Sequence, residues 1–127
     1  MKIIVTSIFV NDQEKALKFY TETLGFVIKH DVPVGEFRWI ALVSPDDPNG
    51  TELILEPNNH PAAEEYQKRL FEDGIPVTMF GVENISEEYD RLLKHGVKFA
   101  MEPKETGGVT LAIFDDTCGN YLQIMQN

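Results

Sequence analysis

The chain carries the same phrase twice. Residues 5–12 read VTSIFVND and residues 77–84 read VTMFGVEN, so that Val5, Thr6, Val10 and Asp12 recur as Val77, Thr78, Val82 and Asn84 at a constant offset of 72 residues (5 to 77). Further along, SPDDPNGTELILE at 44–56 is echoed by IFDDTCGNYLQIM at 113–125. Here Asp46, Asp47, Gly50 and Leu53 return as Asp115, Asp116, Gly119 and Leu122, at an offset of 69 (50 to 119). Two matched segments in the same order and at nearly the same spacing imply an internal duplication. That constrains the fold more than any single motif, because whatever one half builds the other must build too.

Each half reads as a strand, a helix and then further strands. In the first, alternating IIVTSIFV meets Asn11 and Asp12, both suited to an N-cap, and QEKALKFYTETLG follows with Ala16, Leu17, Tyr20 and Leu24 at helical spacing before Gly25. In the second, Asn84 and Glu87 have capping-box spacing, Tyr89, Leu92 and Leu93 form an apolar stripe, and Gly96 ends the helix. Strands are expected near 26–32, 36–43 and 51–56, and again near 97–102, 108–114 and 120–126. Between the halves, Pro61 suits a first helical position and Gly74 a helix end, which predicts a linking helix whose Ala62, Tyr66 and Leu70 pack on the body.

The expected organisation is one domain over 1–127, with module one at about 1–58, the linking helix at about 60–73 and module two at about 75–127. The fold class is α+β: two βαβββ modules related by pseudo-twofold symmetry, forming a curved mixed sheet around a cleft with helices on the outer face. A ferredoxin-like arrangement is the alternative.

Composition narrows the function. With 11 Lys and Arg against 21 Asp and Glu, the formal charge of −10 repels phosphate backbones and argues against nucleic acid. No apolar run approaches the roughly 20 residues of a membrane span, and the N-terminal run alternates like a strand, so the expectation is a cytoplasmic protein without a membrane partner. The single cysteine, Cys118, forms no internal disulfide, and without Cys/His clusters a structural zinc site is not expected.

Period-two alternation assigns the strand faces. Leu53 and Leu55, like Leu122 and Ile124, form apolar pairs expected under the helices. The opposite faces are mixed, with Glu52, Ile54 and Glu56 in one module and Tyr121, Gln123 and Met125 in the other. If those faces line a cleft, the first strand contributes Val5 and Ser7 and its repeat contributes Val77 and Met79. The strand at 36–43 is apolar on both faces, and alternation does not decide whether Trp39 or Arg38 points inward. The candidate ligand contacts are therefore Gln123, Tyr121, Glu56 and Glu52 as polar groups, with Ser7 beside them and Trp39 and Met79 as apolar walls. Glu52 and Glu56 read first as solvated carboxylates and second as an acid and base. The Asp pairs before Gly50 and Gly119 read as turn chemistry.

The opening strand with VNDQEKALKFYTETLGF, together with TELILEP, GVENISEEYDRLLKHGV and FDDTCGNYLQIMQ, resembles the glyoxalase, bleomycin-resistance and extradiol-dioxygenase superfamily, the vicinal oxygen chelate proteins, over nearly the whole chain. Metal-dependent members hold a divalent ion with one side chain from each of four strands. Carried onto this chain, those positions fall on Val5, Ile54, Val77 and Gln123, of which only Gln123 has a donor atom. The resemblance therefore implies a homodimer that binds a small organic molecule without a metal or other cofactor, similar to antibiotic-binding relatives. The alternative it leaves is a glyoxalase- or dioxygenase-type enzyme with a displaced metal site built from Glu52 or Glu56, and an interaction module is a third reading.

Overall fold

The computed structural model describes residues 1–126. Asn127, the last residue of the expected second module, lies outside the described residues. The chain divides into two compact units, one ending at Glu64 and one beginning at Glu65. The first unit holds β1 (Val5–Val10), α1 (Gln13–Lys18), a π-helical turn (Phe19–Thr23), β2 (Val27–Val34), β3 (Phe37–Val43) and β4 (Glu52–Pro57). The helix α2 (Pro61–Glu72) spans the boundary. The second unit holds β5 (Pro76–Gly81), α3 (Ile85–Lys94), β6 (Phe99–Thr106), β7 (Val109–Asp115) and β8 (Tyr121–Gln126). Each unit thus has the βαβββ pattern. The sheets have matching strand orders, β1-β4-β3-β2 and β5-β8-β7-β6, with one parallel pair at the start and antiparallel pairs beyond it. The duplication in the sequence is a duplication of α+β structure.

In the first unit Asp12 caps α1, its Oδ1 accepting from the Lys15 amide at 3.0 Å. Ala16, Leu17 and Tyr20 are buried, and α1 packs on β4, whose Leu53 and Leu55 are buried as alternation predicts. The helix then widens. The Thr21 hydroxyl donates to the Leu17 carbonyl at 2.6 Å, competing with the backbone ladder, and the Leu24 amide reaches five residues back to Phe19 at 3.0 Å. In the second unit Asn84 caps α3 through the Glu87 amide at 3.1 Å. The Val97 and Gly96 amides close its end on the Leu92 and Leu93 carbonyls, each at 3.0 Å, in a Schellman arrangement.

Three sequence expectations need correction. On α3 the buried residues are Ile85 and Leu92, seven residues and about two turns apart on one line, while Leu93 lies about 100° further round and is exposed. On α2 the inward residues are Ala63 and Gln67, whereas Ala62 and Tyr66 are exposed and Leu70 is only half-buried. The whole stripe lies one residue over from the apolar reading, since the polar end of Gln67 has partners inside. The hairpin strands also run further than expected, β2 to Val34 and β6 to Thr106. The β6–β7 connection shows why: Gly107 and Gly108, with φ of 59° and 89°, form a two-residue turn that needs positive φ at both places.

At the outer edge of sheet one, β2 places Pro33 opposite Arg38 of β3. No helix among the described residues is long and apolar enough to cross a membrane.

Candidate functional site

The strand registers fix which side chains share a face. In sheet one, β1 pairs Val5 with Glu52, Ser7 with Ile54 and Phe9 with Glu56, while β3 sets Ala41 opposite Ile54. One face therefore carries Val5, Ser7 and Phe9, then Glu52, Ile54 and Glu56, then Trp39 and Ala41, with α1 against the other face. This settles the orientation of β3. Trp39 lies on the face opposite α1 at 40% exposure, and Arg38 turns toward α1, where its guanidinium pairs with Glu14 and with Asp31 of β2. The two-pronged contact with Arg38 holds the Asp31 carboxyl below its ordinary range.

Within that face Ile54 is fully buried, whereas Val5 and Phe9 are partly exposed. Glu52 forms an ion pair with Lys29 at 3.2 Å. Glu56 is half-buried and has no hydrogen bond or ion pair among the described residues.

One stretch of the sheet departs from a plain ladder. Direct pairing of β3 with β4 covers only Ala41 with Ile54 and Leu42 with Leu53. Continuing it would bring Arg38 opposite Pro57, which has no amide to donate. The Gln13 side chain fills the break: its Nε2 donates to the Arg38 carbonyl at 2.7 Å and the Leu55 carbonyl at 2.9 Å, and its Oε1 accepts from the Arg38 amide at 3.0 Å. The repeat places Gln126 where Pro57 stands, and there β7 and β8 pair without interruption from Thr110 to Asp115.

The corresponding face of sheet two carries Met79, Tyr121 and Gln123. Met79 pairs with Gln123, which also lies opposite Ile113. Met79 is half exposed at 50%. The Tyr121 ring stacks on Phe71 of α2 at 4.3 Å and 5° between planes, so one ring face is already covered. Val77 sits at a bulge between Pro76 and Thr78, the point where β5 departs from the register of β1. The candidate residues are thus gathered within each unit: Ser7, Trp39, Glu52 and Glu56 on one face, and Met79, Tyr121 and Gln123 on another. Phe9, Gln13 and Phe71 were not among the sequence candidates. Repeat alternation puts Phe9 on the same face as Ser7, but nothing local in the sequence announces Gln13 or Phe71.

Below sheet two, the DDTCGN turn is a buried polar cluster. Asp116 Oδ1 accepts from the amides of Cys118 at 2.7 Å and Asn120 at 2.9 Å, and Asp116 Oδ2 accepts from Asn120 Nδ2 at 2.8 Å. Gln67 Nε2 donates to the Cys118 carbonyl at 3.2 Å and to Asn120 Oδ1 at 3.1 Å. A Cβ at Gly119 would come within 2.8 Å of Gln67 Nε2, which is why this turn needs glycine. The Asp pair therefore performs turn chemistry, and Cys118 is buried within it.

The family model described as Glyoxalase/Bleomycin resistance protein/Dioxygenase superfamily matches residues 2–124. The chain belongs to this superfamily. It is 66% identical to the uncharacterized protein YurT of Bacillus subtilis (strain 168), over 99% of each chain. Among solved structures, it is 32% identical to UcmS2, with a TM-score of 0.85 over 98% of this chain and 97% of that one. It is 26% identical to TnmS3, an antibiotic binding protein from Streptomyces sp. CB03234, with a TM-score of 0.76 over 99% of this chain and 95% of that one.

The superfamily's metal positions can be tested against this donor set. Val5 and Ile54 in the first unit and Val77 in the second offer only hydrocarbon, and Gln123 alone supplies a neutral oxygen, which does not fit a divalent ion. The histidines are placed elsewhere. His60 Nδ1 accepts from the Ala62 amide at the start of α2, His95 Nδ1 lies 2.9 Å from the Arg91 carbonyl at the end of α3, and His30 is on β2 opposite Ala41. Among the described residues no three His, Cys, Asp or Glu side chains gather as a metal would require.

Proposed function

We propose that the protein binds a small organic molecule without a metal, using an aromatic and apolar surface with a few placed polar groups. The observation that carries this reading is the face of sheet one opposite α1. By the resemblance the superfamily's ligand positions there fall on Val5 and Ile54, which have no donor atom, while Trp39 and Phe9 are partly exposed on the same face as Glu56, which has no partner among the described residues. Such a surface offers contact area and orientation but no place for a Lewis acid. The antibiotic binding protein TnmS3, 26% identical over nearly the full chain, supports the same direction. Ser7, Glu52, Glu56 and Trp39 are the proposed contacts of the first unit, and Met79, Tyr121 and Gln123 those of the second. The enzyme reading with a displaced metal is weaker, because Glu52 is engaged by Lys29. We further take the protein to be a single-domain cytoplasmic homodimer, whose mass in solution is measurable by light scattering.

The deciding experiment is a thermal-shift screen of tag-free protein against antibiotics and small aromatic compounds, with elemental analysis of the same sample. Saturable stabilisation by at least one compound at less than stoichiometric metal is the expected result. About one equivalent of Fe, Zn, Mn or Ni per chain would overturn the reading.

A further inference from the structure

Three neighbouring strands carry Phe9, Glu56 and Trp39 on the face of sheet one opposite α1. Phe9 is the direct partner of Glu56 across β1 and β4. Direct β3–β4 pairing stops at Ala41 and Ile54, and the same register extended by two residues would set Trp39 across from Glu56 on the other side. Both rings are partly open to solvent, Phe9 at 36% and Trp39 at 40%. The carboxylate between them has no partner among the described residues, while its neighbour on the strand, Glu52, is neutralised by Lys29.

The row coincides with the break in the ladder. Gln13 spans from β3 to β4 through its own amide, so two hydrogen bonds and a side-chain amide lie where one hydrogen bond would close a normal ladder. Direct pairing of β3 with β4 thus ends before Trp39 and Glu56, and the bridge from Gln13 joins the strands beside them. A carboxylate without a partner among the described residues, set beside two partly exposed aromatic rings, favours one kind of group, because the anion and the negative face of an aromatic ring attract the same charge. A neutral polar ligand would leave the carboxylate without a counter-charge, and an anion would be repelled.

We infer that Phe9, Glu56 and Trp39 form a subsite for the protonated amine of an aromatic ligand, with Gln13 as the positioning residue that joins β3 to β4 beside it. This rests on the small-molecule reading above and adds the charge of the ligand to it.

Trp39 is the only tryptophan in the chain, so its fluorescence reports on this row directly. The probes are phenethylamine, 2-phenylethanol and phenylacetate, which present one phenyl group with a positive, neutral or negative end. At millimolar concentrations phenethylamine should quench Trp39 saturably and bind about tenfold more tightly than 2-phenylethanol, with phenylacetate weakest. Glu56→Gln should reduce the preference for the amine to less than about twofold, and because the wild-type ranking needs no variant, misfolding of that substitution would not rescue the idea. Equal binding of amine and alcohol to the wild-type protein, or no saturable quenching by any of the three, would overturn the subsite. The broader reading has its own test: library compounds without a positive charge that stabilise the protein would keep it standing after the amine preference had failed.

Discussion

At the scale of single residues, the clearest local conflict is Thr117, which has φ of 63° in a β-branched side chain. Its amide donates to Asp115 Oδ1 at 2.7 Å, so the surrounding turn imposes this conformation. Left-handed geometry costs a non-glycine residue about 1–2 kcal/mol, and glycine returns about 0.5–1 kcal/mol of that through chain entropy. Thr117→Gly should therefore stabilise the fold by about 0.5 kcal/mol, read from the midpoint of urea unfolding; a lower midpoint would show that the hydroxyl or methyl matters more than the backbone. Asp31 makes a pH-dependent prediction. Its carboxyl lies below the ordinary 3.8 in the folded protein because of Arg38, so the pair stabilises the fold fully above that value and the stabilisation is lost as pH falls through the lower folded value. Asp31→Asn should reduce stability near neutral pH and make the decline below about pH 4 shallower than in the wild type. Equal slopes in acid would mean that the ion pair contributes little.

At the scale of elements, local signals were legible and long-range ones were not. Asp12 and Asn84 cap their helices as read, because a cap depends on residues three positions away. The inward face of α2 was misread because apolar spacing favoured Ala62, Tyr66 and Leu70, whereas Gln67 is buried through partners 51 and 53 residues later in the chain. Gln13 escaped notice for the same reason, since its bonds span 25 and 42 residues and resemble no motif. Its removal gives the test at this scale. Gln13→Leu keeps the bulk of the side chain but leaves the Arg38 amide and carbonyl and the Leu55 carbonyl without that partner. A loss of about 1–3 kcal/mol is expected, with faster hydrogen exchange at the Arg38 amide and a changed Trp39 emission maximum. Unchanged emission would mean that β3 holds its place without the bridge.

At the scale of the whole molecule, the repeat and its order of elements were visible because duplication copies pattern, while the ligand could not be read from pattern at all. Val5 and Ile54 illustrate the limit: their side chains have no donor atom and say nothing of a ligand's charge, and the amine preference emerges only once Glu56 is seen without a partner among the described residues. The formal charge of −10 makes a further prediction. Raising sodium chloride from about 0.1 M to about 1 M shortens the Debye length from about 10 Å to about 3 Å and weakens repulsion among the surplus carboxylates. The midpoint of thermal unfolding should rise, and a fall would show that specific ion pairs outweigh the net repulsion. One small feature bears on how such a chain keeps to itself at high concentration. The outer strand β2 is rich in exposed valine, the composition that recruits further strands into fibrils, but Pro33 interrupts its outward row of amides. A single residue without an amide hydrogen thus breaks the row of donors that an added strand would need along this aliphatic edge.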